Sequence, residues 1–271
     1  MKENYEFIAI DEGKQNLLRG NTSGKGISWK RSLADYPTAR ALERIDGDRI
    51  LIGYDRGYCI AEIDSGEIIH DCRSWTGVTS ANSGPDGTTL ITGLNLEGHK
   101  GVTVLTLDRE DRVIDARSCK GDYVRLMTRT DENLYLLSTN DRIRICTSGL
   151  QMKGTLAAKG FLHAWQSRVT DDSILVSAGY GAFMARFSLS GKLVQVFGGK
   201  DSVPAEVEPF FYACFSIAED KSILVANWQG HGPDNGHKGR QLLHFDEMGN
   251  YLESWSFPEE ISSFQGLLLL E

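Results

Sequence analysis

Asp46-Gly47-Asp48-Arg49-Ile50-Leu51-Ile52-Gly53-Tyr54-Asp55-Arg56-Gly57-Tyr58-Cys59-Ile60-Ala61-Glu62-Ile63-Asp64-Ser65-Gly66 is the stretch whose reading decides the fold. A polar turn leads into a short apolar run, a second turn reverses the chain, another run follows, and a third tight turn ends it. Asp, Asn, Gly and Ser tolerate left-handed backbone or bond their own main chain, so they mark reversals between antiparallel strands. The stretch therefore reads as two strands of one small antiparallel sheet with its turns.

The same pattern recurs along the chain. Phe7-Ile8-Ala9-Ile10 precedes Asp11-Glu12-Gly13, and Leu90-Ile91-Thr92-Gly93-Leu94 precedes Asn95. Leu134-Tyr135-Leu136-Leu137 lies just before Asn140-Asp141, Ile174-Leu175-Val176-Ser177-Ala178 precedes Gly179-Tyr180-Gly181, and Ile223-Leu224-Val225-Ala226 precedes Asn227. With Ile50-Leu51-Ile52-Gly53-Tyr54 these make six runs, on average about 43 residues apart, which is a propeller-blade period. Matching turns precede the runs (Pro85-Asp86-Gly87, Asp131-Glu132-Asn133, Asp171-Asp172), and a third and a fourth strand follow. No stretch combines helix caps with a 3.6-residue apolar stripe, so helices should be few. A β-sandwich would also use short strands, but would not repeat one turn chemistry six times.

The expected architecture is all-β: a six-bladed β-propeller of four-stranded antiparallel blades, with residues 1–271 as one domain. The first unit begins with its second strand at Phe7, and one spare strand remains at residues 263–270. That C-terminal strand is expected to complete the N-terminal blade, which closes the ring and removes exposed strand edges.

Composition narrows the function classes. A formal charge of −8 and dispersed basic residues argue against a nucleic-acid binder, which needs a basic face to displace counterions from phosphate. No apolar stretch approaches the roughly 20 residues of a membrane span. The start, Met1-Lys2-Glu3-Asn4-Tyr5-Glu6, lacks the three-part pattern of a signal peptide, so the chain reads as cytoplasmic. A periplasmic or secreted protein freed of its leader would read the same. Five cysteines without a CxxC or CxxH spacing argue against structural zinc. Gly-rich phosphate loops, GxSxG and HExxH are all absent.

The strand–DGxxL–strand–G-turn units, such as Asp46-Gly47-Asp48-Arg49-Ile50-Leu51 and Pro85-Asp86-Gly87-Thr88-Thr89-Leu90, resemble six-bladed bacterial propellers of the NHL, TolB-like and quinoprotein-repeat-like kinds. The resemblance covers almost the whole chain and implies the fold. The five Trp do not recur at one blade position, a departure from the Trp docking motifs of quinoprotein repeats.

In a propeller, the loop joining strands two and three opens on the same face as the segment leading into strand one, and that face should hold any site. Asp11, Asp55, Asn95, Asn140 and Asn227 stand at the ends of the second strands. Asp11, Asn95 and Asn227 are thus candidate ligands for a divalent cation such as Ca2+ or for sugar hydroxyls, against the plainer reading that they build Asx turns. Tyr180, between two glycines, takes this place in the fifth blade.

The sixth blade carries a longer insertion from Asn227 to Arg240, expected to be mobile and polar. In it His231 is the first candidate acid/base, and His231 with His237 could share a metal. Segments entering the first strands add Arg40, Arg125, Tyr212, Gln265 and His163, the last a second candidate base beside Trp165. Arg40, Arg125, Asn227, Trp228, Tyr212, Gln265 and Tyr180 form the expected substrate-binding set. Two arginines at this level imply either an anionic ligand or internal partners such as Asp11 and Glu12. The expected ligand is a small polar molecule, a sugar or sugar acid, with lyase, lactonase-type hydrolase or isomerase chemistry. A non-catalytic sugar-binding propeller and a protein-interaction platform are the alternatives.

Overall fold

A computed structural model describes residues 4–24 and 26–270; residues 1–3, part of the stretch read for a leader, lie outside the described residues. The chain begins with β1 (Glu6–Asp11), β2 (Asn16–Asn21) and β3 (Ile27–Ser32). The second blade is β4 (Ala41–Arg44), β5 (Arg49–Tyr54), β6 (Gly57–Glu62) and β7 (Ile68–Arg73). The third is β8 (Val78–Ser83), β9 (Thr89–Leu94), β10 (Val102–Leu107) and β11 (Val113–Cys119). The fourth is β12 (Met127–Arg129), β13 (Leu134–Ser138), β14 (Ile143–Thr147) and β15 (Met152–Leu156). The fifth is β16 (Ser167–Val169), β17 (Ser173–Ser177), β18 (Met184–Ser188) and β19 (Leu193–Phe197). The sixth is β20 (Phe211–Ile217), β21 (Ile223–Trp228), β22 (Leu242–Phe245) and β23 (Tyr251–Trp255), and β24 (Phe264–Leu269) follows.

These strands form six four-stranded antiparallel sheets, and β24 is the innermost strand of the first, in the order β24-β1-β2-β3. Its register sets Phe7 against Leu269, Ala9 against Leu267 and Ile10 against Gly266, with a bulge before Asp11 pairs Phe264. The ring is a six-bladed propeller closed by its last strand, one residue shorter at each end than the sequence suggests. Phe264 packs edge-on against Phe7 at 5.7 Å and against Phe257 at 6.3 Å, an aromatic clasp on the seam.

The apolar runs are buried because each second strand has blades on both sides. β5 and β1 bury five of six residues, while the outer β11 is mostly exposed. The six apolar clusters fall between neighbouring blades. Ile8, Ile10 and Leu17 meet Ile50, Ile52 and Tyr54 between the first two, for example, and Leu175 and Met184 meet Val225 and Leu243 between the fifth and sixth. Interdigitation of this kind, at crystal-like density, fixes how each blade is rotated against the next. The third and fourth strands of every blade also pair through a bulge, which strengthens the twist that fans the blade outward.

Candidate functional site

The loops between second and third strands open on one face together with the segments entering the inner strands. On this face lie loops 12–15, 55–56, 95–101, 139–142, 178–183 and 229–241, with the segments that carry Arg40, Tyr123, Arg125 and His163.

Arg40 lies deep at this mouth, within electrostatic reach of Arg125, Tyr123, Asp55 and Glu12. Burial first, and then the positive charge of Arg125, push its guanidinium down to about 10. Asp11 and Glu12, the partners expected for these arginines, and the nearby Asp55 make their hydrogen bonds to other groups. Asp11 accepts backbone N–H groups of Ser262 (3.0 Å) and Ser263 (2.9 Å), so it caps the segment entering β24. Glu12 holds His231 Nδ1 at 2.7 Å through one oxygen and accepts Trp228 Nε1 at 3.1 Å through the other. Asp55 accepts the backbone N–H of Gly77 at 3.3 Å. Among the described residues, neither Arg40 nor Arg125 forms an ion pair.

Arg125 instead donates Nε–H to the hydroxyl of Tyr123 at 2.6 Å and lies over its ring at 4.6 Å. The Tyr123 hydroxyl is 2.5 Å from Nδ1 of His163. His163 has left-handed backbone (φ 56°), held by the bond from its N–H to Oδ1 of Asn140 at 3.2 Å. Its neighbours are thus Tyr123 and Tyr180, at ring distances of 5.2 and 5.5 Å, and not Trp165, which is buried edge-on against Phe211. Burial and the charge of Arg125 hold the His163 imidazole below its ordinary pKa.

An aromatic row links the two histidines. Tyr180 contacts Phe211 at 4.7 Å and Phe210 at 5.8 Å, Phe210 stacks on Trp228 at 6.0 Å, and Trp228 meets His231 at 4.7 Å. Tyr180 and Phe210 are exposed, and a cavity of about 710 Å3 opens beside Phe210, Gln229 and Lys238. The Tyr180 loop is rigidly seated: Tyr180 N–H donates to Leu162 O, and Tyr212 N–H donates to Gly179 O. Gly179 has φ +62°, and a Cβ there would sit 2.1 Å from His163 O, so the close approach requires glycine.

The insertion of the sixth blade is pinned, contrary to the mobility expected of it. Asn235 Nδ2 donates to the carbonyls of Gly230, His231 and Gly232, and the hydroxyls of Ser262 and Ser263 bond Gly232 O and Gly230 O. This carries His231 over the first blade to Glu12, an approach that Gly13 allows, since a Cβ there would lie 2.4 Å from Gly232 O. His237 instead pairs with Glu259 at 3.3 Å, so the two loop histidines have separate carboxylates.

The remaining candidates face their own loops. Asn95 accepts Gly101 N–H; Asn227 accepts Phe210 N–H and donates to Val207, Glu208 and Arg240 carbonyls. Tyr212 is fully buried, its hydroxyl on Gly198 O. Gln265 is buried with Oε1 unbonded. Among the described residues no group of three His, Cys, Asp or Glu is placed to hold a metal ion. Tyr123 joins the constellation without having been a candidate, and Glu12, expected as an arginine partner, meets His231 instead, because only the fold shows which histidine each one reaches.

No protein-family model matches the chain, and no curated protein matches it. Solved structures do. A protein of unknown function from Bacteroides caccae is 19% identical, with a TM-score of 0.81 over 99% of this chain and 100% of that one. A functionally unknown protein from Desulfotomaculum acetoxidans is 11% identical at a TM-score of 0.60, covering 98% and 99%. A catalytically inactive histidine variant of virginiamycin B lyase from Staphylococcus aureus, solved with quinupristin, is 11% identical at 0.61, covering 94% and 85%. At these identities the likeness is one of fold.

Proposed function

We propose that the channel mouth around Arg40 and Arg125 binds a small carboxylated molecule, a sugar acid or a similar ring-bearing acid, for acid–base chemistry of the lyase, lactonase-type hydrolase or isomerase kind. The observation that carries this reading is that two guanidinium groups lie together at the mouth and, among the described residues, neither forms an ion pair. Asp55 and Glu12 act on Arg40 only at a distance, their oxygens bonding Gly77 N–H and the Trp228 and His231 side chains. Burying like charges together costs free energy unless an anion compensates them, and a planar guanidinium suits a carboxylate. The exposed Tyr180 and Phe210, set edge to face, supply an aromatic wall for the body of the ligand. His231 adds a second functional group: with Nδ1–H donated to Glu12, its Nε2 lone pair faces outward as a base.

The test is calorimetric titration with D-galacturonate, its neutral methyl ester and D-galactose. The acid should bind, the neutral sugars at least tenfold more weakly, and Arg40→Gln or Arg125→Gln should cost at least tenfold (about 1.4 kcal/mol). Equal binding of acid and ester, or unchanged affinity in both variants, would overturn the proposal.

A further inference from the structure

We infer that Tyr123 is a catalytic residue of this site and works with His163 as a proton relay, removing and returning the proton α to the carboxylate of the bound acid. The inference rests on the functional reading above and adds the reaction step and the group that performs it.

The hydrogen-bond inventory supplies the direction. A guanidinium only donates, so Arg125 Nε–H uses one lone pair of the Tyr123 oxygen at 2.6 Å. The phenol proton then has a near-ideal acceptor in His163 Nδ1 at 2.5 Å. A neutral imidazole accepting at Nδ1 carries its proton on Nε2. Burial raises the Tyr123 hydroxyl above its ordinary value, against the opposing pull of Arg125 and Arg40, while burial and Arg125 depress His163. At neutral pH the shared proton thus rests on the phenol. The groups facing the pair are Arg125, Arg40, the edge of the Tyr180 ring and Asn140, and among the described residues no carboxylate pairs with His163.

Ligand binding would change this balance. A carboxylate on the two arginines cancels much of the positive field that disfavours the imidazolium, so His163 becomes a better proton acceptor as the acid arrives. In the step, the Cα–H bond of the acid breaks and its proton joins the Tyr123 oxygen. The phenol proton passes to Nδ1 of His163. The electron pair left behind delocalises into the carboxylate, where the arginines meet the added charge. Reversal returns a proton to carbon, with no oxidant or reductant needed. β-Elimination from a sugar acid and epimerisation at the carbon next to its carboxylate share this first step.

The experiment monitors D-galacturonate in D2O with the whole protein, following its C5 proton by NMR. The wild type should replace that proton with deuterium. Tyr123→Phe should slow the exchange at least a hundredfold while leaving the dissociation constant within about threefold. Long-range 1H–15N spectra should show His163 Nδ1 unprotonated in the free protein, and its titration midpoint should rise when galacturonate is added. Bound galacturonate that keeps its C5 proton would overturn the relay and leave the binding reading standing. So would exchange at the wild-type rate in Tyr123→Phe, or a proton on Nδ1 of neutral His163. Failure of galacturonate to bind would instead remove the functional reading and the relay together.

Discussion

His244 shows how one buried side chain ties stability to pH. It is 1% exposed, with Nε2 3.2 Å from the Tyr5 hydroxyl and its ring stacked at 5.7 Å on Trp255. Burial depresses its pKa, against a weaker opposing pull from Glu253. The folded state therefore binds this proton less well than the unfolded chain does. The stability involved is fully present above the ordinary histidine value of about 6.5 and is lost as pH falls from there through the folded value. Urea midpoints between pH 8 and pH 5 should fall in the wild type and flatten in His244→Gln; parallel slopes in the two proteins would refute the assignment. Asp11 carries a different residue-scale consequence, since its carboxylate accepts two buried backbone N–H groups next to β24. Asp11→Ala should cost about 2–4 kcal/mol in urea unfolding, and Asp11→Asn less, because one acceptor oxygen remains.

At the scale of elements, the blades were legible because strand, turn and strand are encoded locally, as in Asp46 to Gly66. The six bulges were not: nothing in the turn residues marks where the extra residue falls, and the pairing of third and fourth strands shows it only once formed. The insertion at residues 229–241 looked mobile because glycine and polar residues dominate it. It is held by side chains, above all Asn235, which gathers three carbonyls, with the Ser262 and Ser263 hydroxyls beside it. Asn235→Ala should therefore loosen this loop first. Amide hydrogen exchange within residues 229–241 should rise at least tenfold while the inner strands keep their protection, and a uniform rise over the whole chain would contradict this. The Tyr180 loop should be less forgiving. Gly179→Ala places a methyl against His163 O and forces a left-handed alanine, for an expected loss of about 1–3 kcal/mol by thermal or urea unfolding.

For the whole molecule, closure concentrates risk in one strand. β24 is the inner strand of the first blade, and it also packs against the inner strands β20 and β4 of the neighbouring blades. A chain ending at residue 260 should lose cooperative unfolding and aggregate in size-exclusion chromatography, whereas supplying residues 261–270 as a peptide should restore part of the fold. A truncated chain that unfolds cooperatively at the wild-type midpoint would show that the seam is not needed. Sequence alone determined the number of blades, their strand order and the closing strand, and which loops share a face. Those features follow from turn residues and apolar alternation, which act over a few positions. Which side chains meet across that face was decided by tertiary structure alone. Tyr123 reaches His163 across 40 residues, and Glu12 reaches His231 across 219. Hydrogen bonds of 2.5 and 2.7 Å depend on how each blade is rotated against the next, and that rotation is set by packing between blades, which no local pattern records.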